Sequence, residues 1–223
     1  MKKLFILIIM LASFPVLTIL GCKKEEPLLY YISELRQDIF EGKSDDFLLK
    51  AHYGFKEEVH LLDNKRENTK YMLTIILDQI PISYYTEYTL NFNYHDIQYT
   101  GVFKFNPNSE KLSVNFNINN FTEKEFKVTL SYAGNNKEIP LTSIVPKDTV
   151  PYTEILSVLR EKQSTLIESL TKDGEFSAEI ILRIIVKDEK AYYYVGFYKD
   201  NRLKAFLIDG KNKEILTMRD ITK

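Results

Sequence analysis

The 223-residue chain has one cysteine, no tryptophan, three histidines and eight glycines. With a single cysteine no disulfide can form within the chain, so the fold depends on packing and hydrogen bonding. No two glycines lie close together, whereas loops that bind nucleotide phosphates need clustered glycines so that backbone N–H groups can approach the anion. P-loop and dinucleotide-binding motifs are therefore excluded, and a Gly-x-Ser-x-Gly nucleophile turn is missing. We predict no nucleotide ligand and no cofactor.

One stretch contains enough potential metal ligands to consider, namely His52, Glu57, Glu58 and His60. The spacing of these residues is not that of a zinc motif, and we expect Gly54 to break the strand between them. We interpret the stretch as a polar surface loop and predict no metal site.

Two kinds of residue pair could serve catalysis. His95-Asp96 is interpreted as a turn, because adjacent residues on a strand point to opposite faces and could not act together. The acidic pairs Asp45-Asp46 and Glu57-Glu58 are interpreted as solvated charge, since a glycosidase needs two carboxyls across a cleft. Without a nucleophile–base pair, we predict that the protein is not an enzyme.

The lone cysteine, Cys22, follows an apolar leader. Two lysines precede residues 4–20, which are almost wholly apolar, and a glycine comes directly before the cysteine. This order is typical of a secretory signal, and the run is short for a membrane span, which needs about 20 apolar residues. Residues 19–22 (Ile-Leu-Gly-Cys) resemble the lipobox of bacterial prolipoproteins. The resemblance implies a signal peptide at residues 1–21, a lipid such as palmitate on Cys22, and attachment to the extracytoplasmic face of the cell membrane.

The composition limits the partners. Hydrophobic residues make up 44% of the chain and charged residues 27%, which is typical of a globular protein. Removal of the leader would leave 28 basic and 31 acidic residues, a formal charge of −3. Such a charge gives no electrostatic basis for binding nucleic acid or anionic lipid. The predicted partners are the membrane, through the lipid on Cys22, and a protein.

The first part of the exported chain predicts a β-sandwich. Residues 22–27 form a charged tether, and residues 28–41 have apolar side chains at helical spacing, which predicts a short helix ended by Gly42. Short alternating segments then follow one another, most clearly at residues 112–119. Seven or eight strands without an intervening helix predict an antiparallel, immunoglobulin-like sandwich within a domain of residues 28–145.

The second part predicts a helix followed by a sheet. A linker at residues 145–150 precedes an amphipathic helix that starts at Pro151 and ends before Gly174. Strands joined by hairpin turns at residues 188–190 and 200–201 come next. The predicted fold class is therefore α+β, with a helix and antiparallel-sheet module at residues 146–223.

Residues 208–216 (Ile-Asp-Gly-Lys-Asn-Lys-Glu-Ile-Leu) resemble the end of a PepSY-type domain. Asp209 and the final Glu-Ile-Leu match that pattern, whereas Asn212-Lys213 departs from the usual Thr-Gly. The resemblance covers about the last 70 residues and implies an exported module associated with peptidases. Cystatin-like modules give a similar pattern. A regulator or inhibitor of an exported peptidase is accordingly the alternative function.

Tyrosines cluster in both parts of the chain. The sandwich cluster contains Tyr84, Tyr85, Tyr88, Tyr94 and Tyr99. In the second cluster, alternation places Tyr192, Tyr194 and Tyr198 on one face of a strand and Tyr193 on the other. Tyrosine can form a platform for sugars or for a partner's apolar residues, although aromatic residues favour strands in any case. We predict a binding surface at Tyr192, Tyr194 and Tyr198, on a membrane-tethered protein that binds a protein or another envelope component.

Overall fold

The computed structural model describes residues 27–57, 68–79, 87–107 and 109–222. These residues form a mostly antiparallel sheet with two short α-helices, which confirms the predicted α+β class. The predicted signal peptide and Cys22 lie outside the described residues.

The first part of the chain is a β-sandwich of nine described strands. They are β1 (Ile32–Lys43), β2 (Leu48–Glu57), β3 (Thr69–Gln79), β4 (Tyr88–Tyr94), β5 (Ile97–Val102), β6 (Lys104–Asn106), β7 (Lys111–Asn117), β8 (Glu125–Tyr132) and β9 (Asn135–Ser143).

The strands of this part lie in two layers. One layer has the order β1-β2-β3-β7-β6, and the other has the order β5-β4-β8-β9. Strand β9 also pairs with β1, where Phe40 lies opposite Ser143, so the two layers join into a nearly closed sheet. Buried side chains such as Leu49, Leu73 and Leu90 fill the space between the layers. The predicted sandwich-like architecture is confirmed.

The second part of the chain combines two helices with a sheet. Its elements are α1 (Tyr152–Lys162), α2 (Ser164–Ser169), β10 (Thr171–Lys172), β11 (Glu175–Phe176), β12 (Glu179–Lys187), β13 (Lys190–Lys199), β14 (Arg202–Asp209) and β15 (Ile215–Thr222).

The helix α1 covers one face of this second sheet. Its buried side chains Ile155 and Leu159 belong to the same apolar cluster as Leu182, Val195 and Phe206 from the strands. Burial of an aliphatic side chain contributes about 1.5–3 kcal/mol, so this single helix face is a main source of stability for the second part of the chain.

The helical segment is shorter than predicted. Gln163 has non-helical backbone angles, which separates α1 from α2, and the chain leaves helical structure after Ser169. Asp173 and Gly174 have positive φ angles of 54° and 85°, and they form the turn between β10 and β11 instead of the end of a helix. The predicted single helix reaching to Gly174 is therefore wrong.

The hairpin turns of the second sheet are confirmed. Asp188 and Glu189 have φ angles of 50° and 60°, and Asp200 and Asn201 have the same two values. Two consecutive residues with positive φ match the twist of the flanking strands, so they produce tight hairpins between long strands.

The predicted helix at residues 28–41 is also wrong. A 3-10 turn at Leu28–Tyr31 leads directly into strand β1. The pairing register of β1 shifts twice, between Ile32 and Glu34 and between Arg36 and Asp38. Each shift interrupts the alternation of side chains, so the apolar residues fall at a spacing that imitates a helix.

Strand β1 belongs to both parts of the chain. Residues 32–36 pair in parallel with β12, and residues 40–41 pair with β9, while β2 follows the whole strand on its other side. The sheet order is therefore continuous, running β15-β14-β13-β12-β1-β2-β3-β7-β6. The predicted domain boundary at residues 145–146 lies between β9 and α1, and β1 joins the sheets on either side of it.

Candidate functional site

The continuous sheet has one face that packs against the core and a second face with partly exposed described side chains. The sandwich core and the residues under α1 both lie on the first face, which we call the inner face. The opposite, outer face runs across nine strands from β15 to β6. Of the described side chains on this outer face, Lys56, Asn115 and Ile185 are exposed. A ligand or partner could therefore reach side chains from both parts of the chain at once.

A cluster of charged side chains lies at the centre of the outer face. Glu34 accepts hydrogen bonds from Arg183 Nε at 2.7 Å and Arg183 Nη2 at 2.8 Å, and its Oε1 also accepts one from Arg36 Nε at 2.9 Å. The register explains this arrangement, because Arg36 on β1 lies opposite Arg183 on β12. One carboxylate thus holds two guanidinium groups beside each other.

Glu34 is the buried member of this cluster. Its side chain is 7% exposed, whereas those of Arg36 and Arg183 are 38% and 37% exposed. Burial alone would raise the pKa of Glu34, but the hydrogen bond and charge of Arg183, with the charge of Arg36, lower it below its ordinary value. Glu34 is therefore ionised at neutral pH, and both arginines keep donors on the exposed side.

His52 lies next to the cluster on β2. Burial is the main reason why the pKa of His52 falls to about 4, and the nearby charge of Arg36 lowers it further. His52 is consequently neutral at physiological pH. It adds a polar side chain to the site without adding charge.

We expect His52 to make the stability of the protein depend on pH. Its pKa is about 4 in the folded chain and 6.5 in the unfolded chain, so the unfolded chain binds more protons between these values. The free energy of unfolding is then highest above about pH 6.5 and falls toward pH 4, by at most about 3 kcal/mol from this residue. Denaturant unfolding at a series of pH values measures the slope.

Two variants isolate the contribution of His52. His52→Gln should flatten the slope between pH 4 and 6.5, and His95→Gln is the matched control, because it makes the same change in the exposed turn between β4 and β5. An unaltered slope in His52→Gln would show that another group titrates in this window.

Gly54 brings β1 and β2 close together beneath the cluster. A Cβ atom on Gly54 would lie 1.8 Å from the carbonyl oxygen of Leu35, which is far inside van der Waals contact. Gly54 pairs with Arg36 at the position where the register of β1 shifts. The missing side chain therefore permits the close strand approach that places Arg36 over the sheet. Gly54 does not break β2, contrary to our expectation.

The charged cluster opens into a groove of about 570 Å³ on the outer face. We call this the cationic groove; its lining includes Glu34, Arg36, His52, Lys56 and Arg183. Its far wall comes from β3 and β7 and combines Met72 and Ile76 with polar side chains, among which Thr74 Oγ1 donates a hydrogen bond of 2.8 Å to Asn115 Oδ1.

The charge of the groove has a definite sign. Among the described residues that line it, Arg36, Arg183 and Lys56 contribute three positive charges and Glu34 contributes one negative charge, a net charge of +2. The whole chain has a formal charge of −1, so this local charge is opposite to that of the protein as a whole. The groove can attract anions that the rest of the surface repels.

A second cavity, of about 690 Å³, lies on the other side of the junction between the two parts. It is larger than the cationic groove, but its charges are balanced: Asp38 accepts a hydrogen bond from Lys124 at 2.5 Å, and the cavity also contains Glu125 and Lys147. We therefore regard the smaller groove, which has unbalanced charge and donors free to bind a ligand, as the better candidate site.

The predicted tyrosine surface lies on the same outer face. Tyr194 pairs with Arg183 across β12 and β13, so the tyrosine row begins next to the charged cluster. Tyr192, Tyr194 and Tyr198 are each partly exposed. Tyr193 points to the inner face, where its hydroxyl donates a 2.7 Å hydrogen bond to the Val150 carbonyl and burial raises its pKa to about 12. The structure thus brings the three predicted residues together, and their binding role stays a prediction.

The structure revises the interpretation of the other candidate residues. His52 and Glu57 lie on opposite faces of β2 and not in a polar surface loop, so that interpretation is wrong. Among the described residues, no three His, Cys, Asp or Glu side chains are grouped as metal ligands. Glu58 and His60 lie outside the described residues.

The residue pairs considered for catalysis lie where the sequence predicted. His95 has a positive φ of 50° in the turn after β4, and Asp45 and Asp46 are exposed.

The tyrosines of the sandwich are largely core residues. Tyr88 and Tyr94 are buried between the layers, and Tyr99 is partly buried against them. Tyr84 and Tyr85 lie outside the described residues. The sandwich cluster therefore supplies packing, whereas the row on β13 faces outward.

Sequence reasoning missed Glu34, Arg36 and Arg183. One signal was present: Arg183 interrupts the otherwise apolar residues 180–186. A charged residue within an apolar strand indicates either an exposed face or an ionic partner, because charges are seldom buried alone. The partner itself lies 149 residues away in sequence, which no local pattern reveals.

Comparison of the chain with protein-family models, with curated proteins and with solved structures found no match. Of the helices in the described residues, none has both the length and the apolar character that crossing a bilayer requires. The geometry alone defines the class: a sandwich-like chain joined to a helix-covered sheet, with an outer face that carries charged and aromatic side chains.

Proposed function

We propose that this protein is a lipid-tethered binding protein on the extracytoplasmic face of the cell membrane, and that it binds an envelope component or envelope protein through its outer sheet face. The observation that carries the proposal is that, on this face, the tyrosines of β13 lie next to the charged cluster of β1 and β12. Partly exposed tyrosine and arginine are the side chains most often central to binding surfaces.

The proposed location follows from the leader. Residues 4–20 and the Ile-Leu-Gly-Cys sequence that ends at Cys22 support lipidation, and the tether of residues 22–27 separates the lipid from the folded chain. A diacylated cysteine supplies two or more acyl chains, and two chains are enough for stable anchoring.

Metabolic labelling tests the anchor. We expect labelled palmitate to enter the wild-type protein, and we expect Cys22→Ala to abolish labelling and release the protein from the membrane fraction. Cys22→Ser keeps a similar volume and serves as the matched control, with the same loss expected, because acylation needs the thiol. Equal labelling of wild type and Cys22→Ala would contradict lipidation at Cys22.

Site-specific crosslinking in intact cells tests the binding face. A photo-crosslinking phenylalanine derivative at Tyr194 should give a discrete adduct, whereas the same group at the exposed Lys127 on β8 should not, because Lys127 lies on the other layer of the sandwich. Adducts of equal yield at both positions, or none at Tyr194, would count against the outer face. An exported peptidase as the adduct would favour the alternative function of peptidase regulator.

A further inference from the structure

We infer that the cationic groove and the adjoining tyrosine row bind an acidic carbohydrate chain, with Arg36, Arg183 and Lys56 contacting its carboxylate or phosphate groups. This inference rests on the proposed function in that it uses the same outer face, and it adds the chemical class of the ligand.

Both arginines have N–H donors that Glu34 does not use. Glu34 uses Nε of Arg36 and Nε and Nη2 of Arg183. Among the described residues, no acceptor contacts the terminal nitrogens of Arg36 or Nη1 of Arg183. A guanidinium has five N–H donors in a fixed planar arrangement that matches a carboxylate or phosphate. Glu34 therefore orients both groups while leaving donors available to a second anion.

The positive charge of the described groove residues exceeds the charge of one monovalent anion. Binding of one singly charged anion would leave the groove, with its net charge of +2, still positive. Binding of two would neutralise it, so the site suits a ligand that carries repeated negative charges. Lys56 is exposed and lies opposite Glu34 on β2, at the side of the groove where a second charge could be placed.

The walls of the groove include several side chains that can form hydrogen bonds. Thr74, Ser113 and Asn115 line it with hydroxyl and amide groups, which can donate and accept hydrogen bonds. A protein interface has an apolar centre with polar groups at its rim, whereas the centre of this groove is charged. Hydroxyl and amide groups beside a charged centre favour a ligand rich in hydroxyl groups over an acidic protein.

The tyrosine row and the cationic groove together form a long surface. Tyr194 on β13 and Asn115 on β7 lie five strand spacings apart along the sheet, a distance of about 24 Å at about 4.8 Å per spacing. The tyrosine rings at one end provide apolar faces for sugar rings, and the charged and polar groups follow in line. An extended chain of several sugar units could contact the tyrosine rings, the charged groups and the polar groups in turn.

Calorimetric titration of the full-length protein in detergent tests the inference. The probes are oligogalacturonate, which carries carboxylates, a phosphodiester-linked oligomer of mannose phosphate, which carries phosphates, a neutral maltooligosaccharide and polyglutamate. We expect at least one of the first two to bind, and which one binds identifies the anionic group. We expect the neutral sugar and polyglutamate to bind at least tenfold more weakly.

Charge-removing variants locate the site. Arg36→Gln and Lys56→Gln should each weaken binding about tenfold, as expected for the loss of one charge-assisted hydrogen bond. Arg36→Gln leaves the bidentate pair of Glu34 and Arg183 in place, and Lys56 is exposed, so both variants should fold. Lys162→Gln is the matched control, because it removes the same charge from α1 on the other side of the sheet and should leave binding unchanged.

Several results would overturn the inference. These are failure of both acidic probes to bind, equal binding of the neutral sugar, binding of polyglutamate as tight as that of the acidic sugars, or equal weakening by Lys162→Gln. In each case a crosslink from Tyr194 in cells would still support the proposed function, so the two failures can be distinguished.

Discussion

Gly54→Ala is expected to lower the free energy of unfolding by about 3–5 kcal/mol, because the new methyl group has no space between β1 and β2. Its Cβ would lie 1.8 Å from the Leu35 carbonyl oxygen and 2.7 Å from the carbonyl carbon. Both atoms belong to the backbone, so no side-chain rotation relieves the clash and the strands must separate. Denaturant unfolding followed by circular dichroism measures the effect.

Gly134→Ala is the matched control for this change. Gly134 has a positive φ of 78°, and no atom lies within 4 Å of a Cβ built there. This variant suffers only the unfavourable backbone conformation, which costs about 1–2 kcal/mol. A Gly54→Ala variant no less stable than Gly134→Ala would show that the approach of β1 to β2 is not as close as described.

Phe40→Ala is expected to cost about 3–5 kcal/mol, because it leaves a cavity where β1 and β9 join the two layers of the sandwich. Phe40 is fully buried, and its ring packs edge-to-face on Phe121 at 5.9 Å and on Phe126 at 5.4 Å between ring centroids. These rings come from different segments, so they cannot readily move together to fill the space. The free energy of unfolding from denaturant titration gives the cost.

Phe105→Ala makes the same chemical change at a surface position. The Phe105 side chain is 63% exposed on the short strand β6, so we expect a change within about 0.5 kcal/mol. Equal destabilisation by the two substitutions would mean that Phe40 does not hold the layers together.

The strands that sequence predicts best are those with regular alternation and one buried face. Strand β7 is the clearest case, because Val114 and Phe116 are buried while Asn115 and Asn117 are exposed. Alternation does not predict strand β1, because its register shifts twice and because it has neighbouring strands on both sides. Periodicity depends on uninterrupted pairing, and a sequence does not display where pairing is interrupted.

Of the candidate site, the sequence predicted the tyrosine row but not the charged cluster. The tyrosine row lies within a single strand, so alternation places Tyr192, Tyr194 and Tyr198 on one face. The charged cluster instead combines Glu34 with Arg183, and the contact exists only because β1 pairs with β12. Long-range pairing is a property of the topology, so spacing within either segment carries no information about it.

The position of β1 has a consequence for the order in which the chain can fold during synthesis. The strands of the sandwich can pair while the last third of the chain is still being made. The first half of β1, however, has no neighbour on one side until residues 179–187 emerge. Until then its backbone N–H and C=O groups on that side are unpaired, and such a strand edge can pair with other chains. Pairing of β1 with β12 is slow because the two strands lie far apart in the sequence. The newly made protein therefore passes through a stage in which shielding of this edge decides whether it folds or aggregates.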